Sequence, residues 1–525
     1  MKIEKISSRI PTSALALSLP ALMLGACGQP KKTAQEAEKT KPNVIVILAD
    51  DLGYGDLSAY GSKTISTPNI DRLANEGVRF TNGYATSATS TPSRYALFTG
   101  KYPWKNKDAK ILAGDAPLLI SETTYTLPKM MQGLGYETAA IGKWHLGMGN
   151  GNPDWNKTVK PGAREIGFDF SCLIAATNDR VPTVFVENGD VVGLEKDDPI
   201  EVNYKTNYPG EPTALDHPEM LKMKWAHGHN NSIVNGIPRI GYMKGGQKAR
   251  WIDEDMADYF VGKVANFIDE NKSKPFFLYY GLHQPHVPRT PHARFVGKTP
   301  MGPRGDAIIE ADWCVGELIK KLEKENLLDN TLIFFSSDNG PVLNDGYKDG
   351  AWELLGEHKP AGALRGGKYS LFEGGTRVPF MVYWKGKIKP LVSDAMISQL
   401  DIMASLAELF DVDLPEGLDT EDYLDVFMGE DTDGRDDYIQ EAQGRMAYRS
   451  GNYSLIPPYN GPEKNLTGNE VGNLKQFSLF DLSKDMGQQT DISADNKEVF
   501  EKLKKEFLEE TKGYYDADVK VEALK

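Results

Sequence analysis

Val44-Ile45-Val46-Ile47-Leu48-Ala49, closed by Asp50-Asp51, is an unbroken apolar, β-rich run that ends in two carboxylates. A strand reads this way, without polar alternation, when both of its faces are covered in a parallel sheet. Thr331-Leu332-Ile333-Phe334-Phe335-Ser336-Ser337 ends in Asp338-Asn339-Gly340, and Pro275-Phe276-Phe277-Leu278-Tyr279-Tyr280 leads into Gly281-Leu282-His283-Gln284-Pro285-His286. Three buried strands thus carry polar residues at their C-terminal ends, the edge where open α/β sheets place their sites. Helical patterns at 69–76, 127–134, 254–270, 306–325 and 401–410 alternate with such strands. The alternation predicts an α/β fold, a large mostly parallel sheet sandwiched by helices.

Beyond Gly434 the texture changes to short strands at 438–442, 446–449, 453–456 and 477–482, separated by Gly and Asn turns and followed by a helix over 497–511. This predicts a smaller antiparallel α+β subdomain, 431–525, packed on a catalytic domain of 42–430. The segment 152–250 is rich in Gly, Pro and Asn, carries His217, His227 and His229, and reads as a loop-rich insertion. Cys172 and Cys314 are the two cysteines of the folded part, and either one disulfide or two buried free thiols is compatible with their separation.

Lys2, Lys5 and Arg9 precede an apolar run from Ala14 to Met23 that is too short to span a bilayer, and Leu24-Gly25-Ala26-Cys27 closes it. The stretch resembles a bacterial lipoprotein signal over 1–26, with lipid on the sulfur of Cys27 and a flexible tether over 27–41. It implies an exported chain anchored to a membrane, in the periplasm or at the cell surface of a Gram-negative bacterium. In the whole chain of 525 residues, 60 Lys+Arg face 74 Asp+Glu, a net charge of −14. That balance excludes nucleic acid as a partner, and an anionic substrate must be met by a local positive site.

Asp50, Asp51, Asp338 and Asn339 offer oxygen ligands alone, which suits Ca²⁺ or Mg²⁺ and not zinc. In Ser90-Thr91-Pro92-Ser93-Arg94, Pro92 at the first helical position puts Ser90 just ahead of a helix N-terminus, where free N–H groups favour an anionic centre. The same segment also reads as a plain Ser/Thr N-cap. Lys143 and His145, two residues apart, point to one side if that segment is extended.

Ser90-Thr91-Pro92-Ser93-Arg94 resembles the Cys/Ser-x-Pro-Ser-Arg signature of type I sulfatases, members of the alkaline phosphatase superfamily. Gly135-Tyr136-Glu137 through Lys143-Trp144-His145 is similar to the second signature of that family. Pro42 through Asp56, Pro285-His286, Ser337 through Gly340, and Gly366 through Gly375 also match in order. The resemblance covers roughly 41–520 and implies an alkaline-phosphatase-like fold and a sulfuric ester hydrolase. It implies that Ser90 is oxidised to formylglycine (3-oxoalanine), and that Asp50, Asp51, Asp338 and Asn339 hold one Ca²⁺ that the modified Ser90 also touches. Arg94, Lys143, His145, His286 and Lys368 would surround the sulfate, with a hydroxyl of the hydrated formylglycine attacking sulfur. His286 would protonate the leaving sugar oxygen and His145 would later take a proton from the second hydroxyl.

A signature that begins with Ser resembles those matured by a radical-SAM enzyme, which makes that enzyme a partner. Asn178-Asp179-Arg180-Val181-Pro182 lies where family members place loops facing the sugar, and carboxylate and guanidinium groups suit hydroxyl and acetamido recognition. A sulfated carbohydrate, attacked from the chain end on galactose or N-acetylgalactosamine units, is the expected substrate. A phosphodiesterase or phosphonate hydrolase on the same fold is the alternative, with His283, His286 and His358 recruited for a second metal. Otherwise His283 has a packing role. An inactive glycan-binding lipoprotein with unmodified Ser90 is a further alternative.

Overall fold

The computed structural model describes residues 41–521. The expected signal 1–26, the lipidated Cys27 and all but the last residue of the tether lie outside the described residues.

Ten strands form the large sheet: β1 (Asn43–Ala49), β2 (Val78–Tyr84), β3 (Glu137–Lys143), β4 (Phe170–Ile174), β5 (Phe185–Glu187), β6 (Asp190–Val191), β7 (Phe276–Gly281), β8 (Thr331–Ser337), β9 (Phe380–Trp384) and β10 (Leu391–Ser398). Their order in space is β10-β2-β9-β8-β1-β7-β3-β4-β5-β6. The five central strands from β8 to β4 run parallel. Antiparallel pairs occur on either side, where β9 joins β8 to β2 and β5 joins β4 to β6.

The unbroken apolar run of β1 has a direct cause in this arrangement. Val44, Val46 and Leu48 enter one core with Leu97 and Phe98 of α2 (Ser90–Thr99), Met130 and Met131 of α3 (Leu127–Gly133), and Ile402 and Leu406 of α6 (Ile402–Leu409). Ile45, Ile47 and Ala49 enter the other, with Leu73 of α1 (Pro68–Glu76), Phe260 of α4 (Met256–Asn271) and Ile308 of α5 (Gly302–Lys324).

The register sets where the site lies. Leu48 stands opposite Gly281 of β7 and Ser336 of β8, so the three strands end level. The ladder continues one step beyond them: Asp50 N donates to Gln284 O (3.0 Å) and Asp338 N to Ala49 O (3.0 Å). Carboxylates and histidines are thereby delivered to one edge.

One local expectation changes and one open choice is settled. Helix α2 begins at Ser90 and not at Pro92, because Thr89 is its N-cap and Ser93 Oγ folds back to Ser87, donating to Ser87 O and accepting from Ser87 N, both at 3.0 Å. Ser90 is therefore the first residue of the helix. Cys172 and Cys314 are both free and buried, which settles the choice left open by the sequence. The segment 152–250 is not all insertion: it supplies β4, β5 and β6 to the large sheet, and its remaining short strands, Glu201–Asn203, Lys224–Trp225, Ile233–Val234, Ile237–Pro238 and Tyr242–Lys244, pair in two-stranded ribbons.

The C-terminal strands β11 (Asp437–Ala442), β12 (Arg445–Ser450), β13 (Tyr453–Ile456) and β14 (Ser478–Asp481) form an antiparallel sheet in that order, followed by α7 (Lys497–Glu510). It shares a core with the large sheet: Tyr84, Ala96 and Leu400 pack with Tyr438, Leu479 and Phe507. Across the same boundary Arg435 Nε and Nη2 donate to the two oxygens of Asp401, at 2.8 and 2.6 Å, all buried.

Removing one partner of such a pair strands the other charge, at a cost of about 3–5 kcal/mol. Arg435→Ala should therefore lower the melting temperature sharply, and Arg435→Met with Asp401→Leu should recover much of the loss. Thermal unfolding of the single and double variants checks this, and an equally unstable double variant counts against it.

Candidate active site

Asp50, Asp51, Asp338 and Asn339 are all within 1% of fully buried and meet at the shared strand edge. Asp51 sits at φ +62°, a left-handed conformation that Asp tolerates, and this turns its carboxylate away from the strand direction of Asp50. Its N–H donates to Asp338 Oδ1 (3.3 Å), Asn339 Nδ2 donates to its Oδ1 (2.7 Å), and Lys368 Nζ donates to its Oδ2 (3.0 Å).

The cations are interleaved with these carboxylates. Lys143 Nζ lies 2.6 Å from Asp50 and 3.6 Å from Asp338 Oδ2. Arg94 donates from Nη2 to Asp338 Oδ2 (2.7 Å), from Nε to Ser90 Oγ (2.9 Å), and from Nη1 to the hydroxyl of Tyr279. The (i, i+4) spacing of Ser90 and Arg94 on α2 is what lets one guanidinium reach the serine and Asp338 together. Lys368 is divided between Asp51 and Asp345 Oδ2 (2.7 Å), and Asp345 also accepts from Tyr369 OH (3.1 Å).

Burial pushes the Asp50 carboxyl well above its ordinary range, opposed by Lys143 and reinforced by Asp338 and Asp51. Burial likewise raises Asp51, against Lys368. Asp338 goes the other way: burial would raise it, but Arg94 and Lys143 together hold it below the usual carboxylate range.

The donor set fits a hard divalent cation. Asp50 Oδ2 and Asn339 Oδ1 are buried and without a hydrogen-bond partner, although Asp50 Oδ2 faces the Lys143 ammonium. Among the described residues one group of three or more carboxylate, thiol and imidazole ligands converges, with atoms of Asp50, Asp51 and His286 within 4.8 Å of one another. Two carboxylates lifted in pKa by burial and by each other are what an added cation would relieve.

The histidines differ from one another. His145 Nε2–H donates to Leu112 O (3.1 Å), leaving Nδ1 buried without a partner. Its φ of +57° shows that the chain has already left the strand after Lys143, so its place beside Lys143 comes from the turn and not from the alternation expected of an extended segment. His286 Nδ1–H donates to Val287 O (2.6 Å), and its Nε2 lies 3.9 Å from Asp51 Oδ2. Burial, then Lys143, hold His145 well below the ordinary histidine range, and burial, then Lys368 and Lys143, do the same for His286.

Neither His283 nor His358 supplies a second metal set. His283 is packed against Phe260 and burial lowers it to about 4. His358 Nε2 donates to Asp56 Oδ1 (2.8 Å), a carboxylate that Arg304 also holds with two bonds of 2.8 and 2.6 Å. Asp56 accepts from Gly53 N (2.7 Å) as well, so this buried trio fixes the loop that follows Asp50-Asp51.

Of the expected sugar contacts, Asp179 and Arg180 lie beside the pocket. Arg180 Nη1 is 3.0 Å from Asp179 Oδ1 and His229 Nε2–H donates to Asp179 Oδ2 (2.8 Å). Burial would raise Asp179, but Arg180, the bond to His229 and the nearby His286 keep it well below the usual range. Asn178 is anchored instead to backbone, its Nδ2 donating to Pro288 O (3.3 Å) and its carbonyl accepting from Arg239, while its Oδ1 is free of a donor. His229, Asp345, Tyr279 and Arg304 escaped the sequence reading. His229 and Asp345 belong to long irregular segments, where only the tertiary fold brings them to the pocket.

A family model described as Sulfatase matches residues 42–412. The chain belongs to the sulfatase family. An N-acetylgalactosamine-6-O-sulfatase of Bacteroides thetaiotaomicron is 47% identical over 500 residues, 94% of this chain and 98% of that protein. Arylsulfatase A of Bos taurus is 30% identical over 476 residues, 86% of this chain and 83% of its own. A solved structure from Bacteroides thetaiotaomicron, described under the metabolism of multiple glycosaminoglycans, superposes with a TM-score of 0.88 at 48% identity, covering 90% of this chain and 99% of that one. The sulfatase has the alkaline-phosphatase-like architecture expected of it, and it is a carbohydrate sulfatase by relationship.

The Asp56 trio gives a test that is independent of turnover. Asp56→Ala leaves Arg304 buried and unpaired, which should cost about 3–5 kcal/mol, whereas His358→Gln loses one hydrogen bond worth about 1 kcal/mol. Denaturant unfolding should rank the two in that order.

Proposed function

We propose that this sulfatase removes the 6-sulfate of N-acetylgalactosamine units at the end of a glycan chain. The observation that carries the reading is one buried pocket in which Ser90 opens a helix beside Arg94, Lys143, Lys368, His145 and His286. The 47% identity with an N-acetylgalactosamine-6-O-sulfatase, spread over nearly the whole chain, supports the choice of sugar and position.

The chemistry follows from the charges. A sulfate ester brings oxygens that need several cationic donors in one preorganised site, and Arg94, Lys143 and Lys368 supply them without reorganisation. Calcium, held by oxygens of Asp50, Asp51, Asp338 and Asn339, would add a further positive charge at this point. Oxidation of Ser90 to formylglycine by a radical-SAM maturation enzyme would provide, as the hydrate, the hydroxyl that attacks sulfur.

His286 is the acid for the departing sugar oxygen. Because its Nδ1–H is committed to Val287 O, the proton to be given must be carried on Nε2, so the working form is the imidazolium. Burial, Lys368 and Lys143 oppose that form and Asp179 favours it, so the negative charge of an arriving sulfate ester and Asp179 together would have to supply the proton's stabilisation. His145 has the complementary state, a ring whose Nε2–H is tied to Leu112 and whose Nδ1 is open to take a proton. Asp179 and Arg180, braced by His229, would hold sugar hydroxyls, and Asn178 Oδ1 would accept from the acetamido N–H. His358 is committed to Asp56 and His283 to packing, which favours a sulfatase over the two-metal phosphodiesterase reading. Export and lipid attachment at Cys27 would place the enzyme in the periplasm or at the cell surface, where sulfated glycans arrive.

A panel of defined monosulfated sugars tests the assignment. N-acetylgalactosamine 6-sulfate should be turned over, the 4-sulfate isomer should not, and Ser90→Ala should be inactive yet folded, with an aldehyde found by mass spectrometry at Ser90 of the native protein. Faster release from another isomer would overturn the sugar assignment, and full activity with plain serine would overturn the formylglycine one.

The metal has its own readout. Chelation should lower the melting temperature and calcium should restore it, by about 4 kcal/mol at a thousandfold excess over the dissociation constant. Asp51→Asn, which keeps a residue tolerant of the left-handed backbone while removing a charge, should shrink that shift. A melting temperature indifferent to chelation would refute the metal site.

A further inference from the structure

Lys224 and Lys348 stand directly opposite each other in the two-stranded antiparallel ribbon formed by Lys224–Trp225 and Tyr347–Lys348. Directly opposed residues share one face, with Cβ atoms about 4.5–5.5 Å apart, and like charges so placed destabilise the pair. Both lysines are exposed, and neither side-chain ammonium makes a hydrogen bond or ion pair to any of the described residues. In a chain of net charge −14, with carboxylates in surplus, two adjacent lysines without a counter-ion are a feature that folding does not explain.

The ribbon is fastened to the pocket at its other face. Tyr347 is buried and packs on the His229 ring at 4.7 Å, and Ala226 N donates to Gly346 O (2.7 Å). His229 holds Asp179, and Asp345, three residues before Lys348, holds Lys368. The chain bends at Asp345 and Gly346, where φ is +103°, and enters the ribbon at Tyr347, so Lys348 follows the pocket residue Asp345 closely in the chain and the lysine pair lies on the ribbon face opposite Tyr347.

Four residues further on, Trp352 is 51% exposed. Its indole lies against Gly468, where a Cβ would come within 3.1 Å of the ring. The next residue, Asn469, donates from Nδ2 to Lys368 O (3.1 Å) and Pro341 O (3.3 Å), so this aromatic face is also carried on a loop tied to the pocket.

Resting on the sulfatase reading above, we propose that Lys224, Lys348 and Trp352 form an outer binding site for the neighbouring sugars of an acidic glycan chain, the lysines meeting a carboxylate or second sulfate and the indole a sugar face. The like-charge pair is then relieved when substrate is bound, and the enzyme discriminates a polyanionic chain from an isolated sulfated sugar.

The test is calorimetric and uses protein made without maturation, so that Ser90 is unmodified and binding is read without turnover. The probes are N-acetylgalactosamine 6-sulfate and the trisaccharide N-acetylgalactosamine 6-sulfate–glucuronate–N-acetylgalactosamine 6-sulfate. Lys224→Gln with Lys348→Gln should weaken the trisaccharide roughly fivefold to tenfold, as two exposed charge contacts would, and leave the monosaccharide unchanged. The difference should fade as salt is raised. Trp352→Ala should weaken the trisaccharide at all salt concentrations. An unchanged melting temperature, or a higher one for the lysine variant, excludes misfolding as the cause. Equal weakening of both probes, or an unaffected trisaccharide, overturns the outer site alone. Failure of both probes to bind the wild-type protein overturns the sulfatase-site reading and this proposal with it.

Discussion

Four carboxylates, Asp50, Asp51, Asp338 and Asp345, and three cations share one desolvated volume at the end of β1, and the surrounding elements make that arrangement tolerable. An isolated charge in such a place costs several kcal/mol. Here each is answered: Lys143 by Asp50, Arg94 by Asp338, Lys368 by Asp51 and Asp345. The answer is uneven, since Asp50 and Asp51 remain raised in pKa while Asp338 is lowered. The unevenness locates where positive charge is still wanted, on the side of Asp50 and Asp51.

The parallel register of β7, β1 and β8 is what imposes this crowding. Strands ending level must deliver their next residues to the same place, and no loop rearrangement could separate Asp50 from Asp338 without breaking the Asp338–Ala49 ladder bond. The loops that follow are therefore braced: Asp56 by Arg304 and His358, and the histidine loop by Glu310, which accepts from Gln284 Nε2 and His292 N at 2.9 Å each. Burial pushes Glu310 up to about 7 despite these bonds. On the opposite side the C-terminal sheet reaches the loop before Ser90, where Ala88 N donates to Glu441 O (2.8 Å) and Ser87 pairs with Glu441 in a parallel bridge. The smaller sheet is thus part of the support for the active-site helix.

What could be read from the sequence follows the same division. β1, β7 and β8 were legible because burial on both faces removes polar alternation, and their terminal Asp and His residues were legible because they follow such runs at once. Helix α2 starts two residues earlier than Pro92 alone indicates because Ser93 turns its hydroxyl back to Ser87, and Pro92 is left third in the first turn, where its missing N–H has no helical partner to lose. Lys143 and His145 were expected on one side from strand period, yet the strand stops at Lys143 and a left-handed turn carries His145 inward. His229 and Asp345 had no local signal, since each lies in an irregular segment whose position is fixed by contacts more than 20 residues away.

The burial that makes Ser90 useful also constrains when it could be altered. Ser90 is 4% exposed, and Thr91, Ser93 and Arg94 are inaccessible in the folded chain. Thr91 Oγ1 donates to His145 O (2.8 Å), and Arg94 is locked to Asp338 and Tyr279. An enzyme that recognises the residues after Ser90 would have to break a buried ion pair to read them once the fold is complete. The proposed oxidation of Ser90 therefore belongs to the unfolded or partly folded chain, before α2 docks against β3 and β8. The same contacts that then close around the modified residue keep it aimed at the pocket, because Arg94 spans from the serine to Asp338 and cannot shift without leaving one of them unpaired.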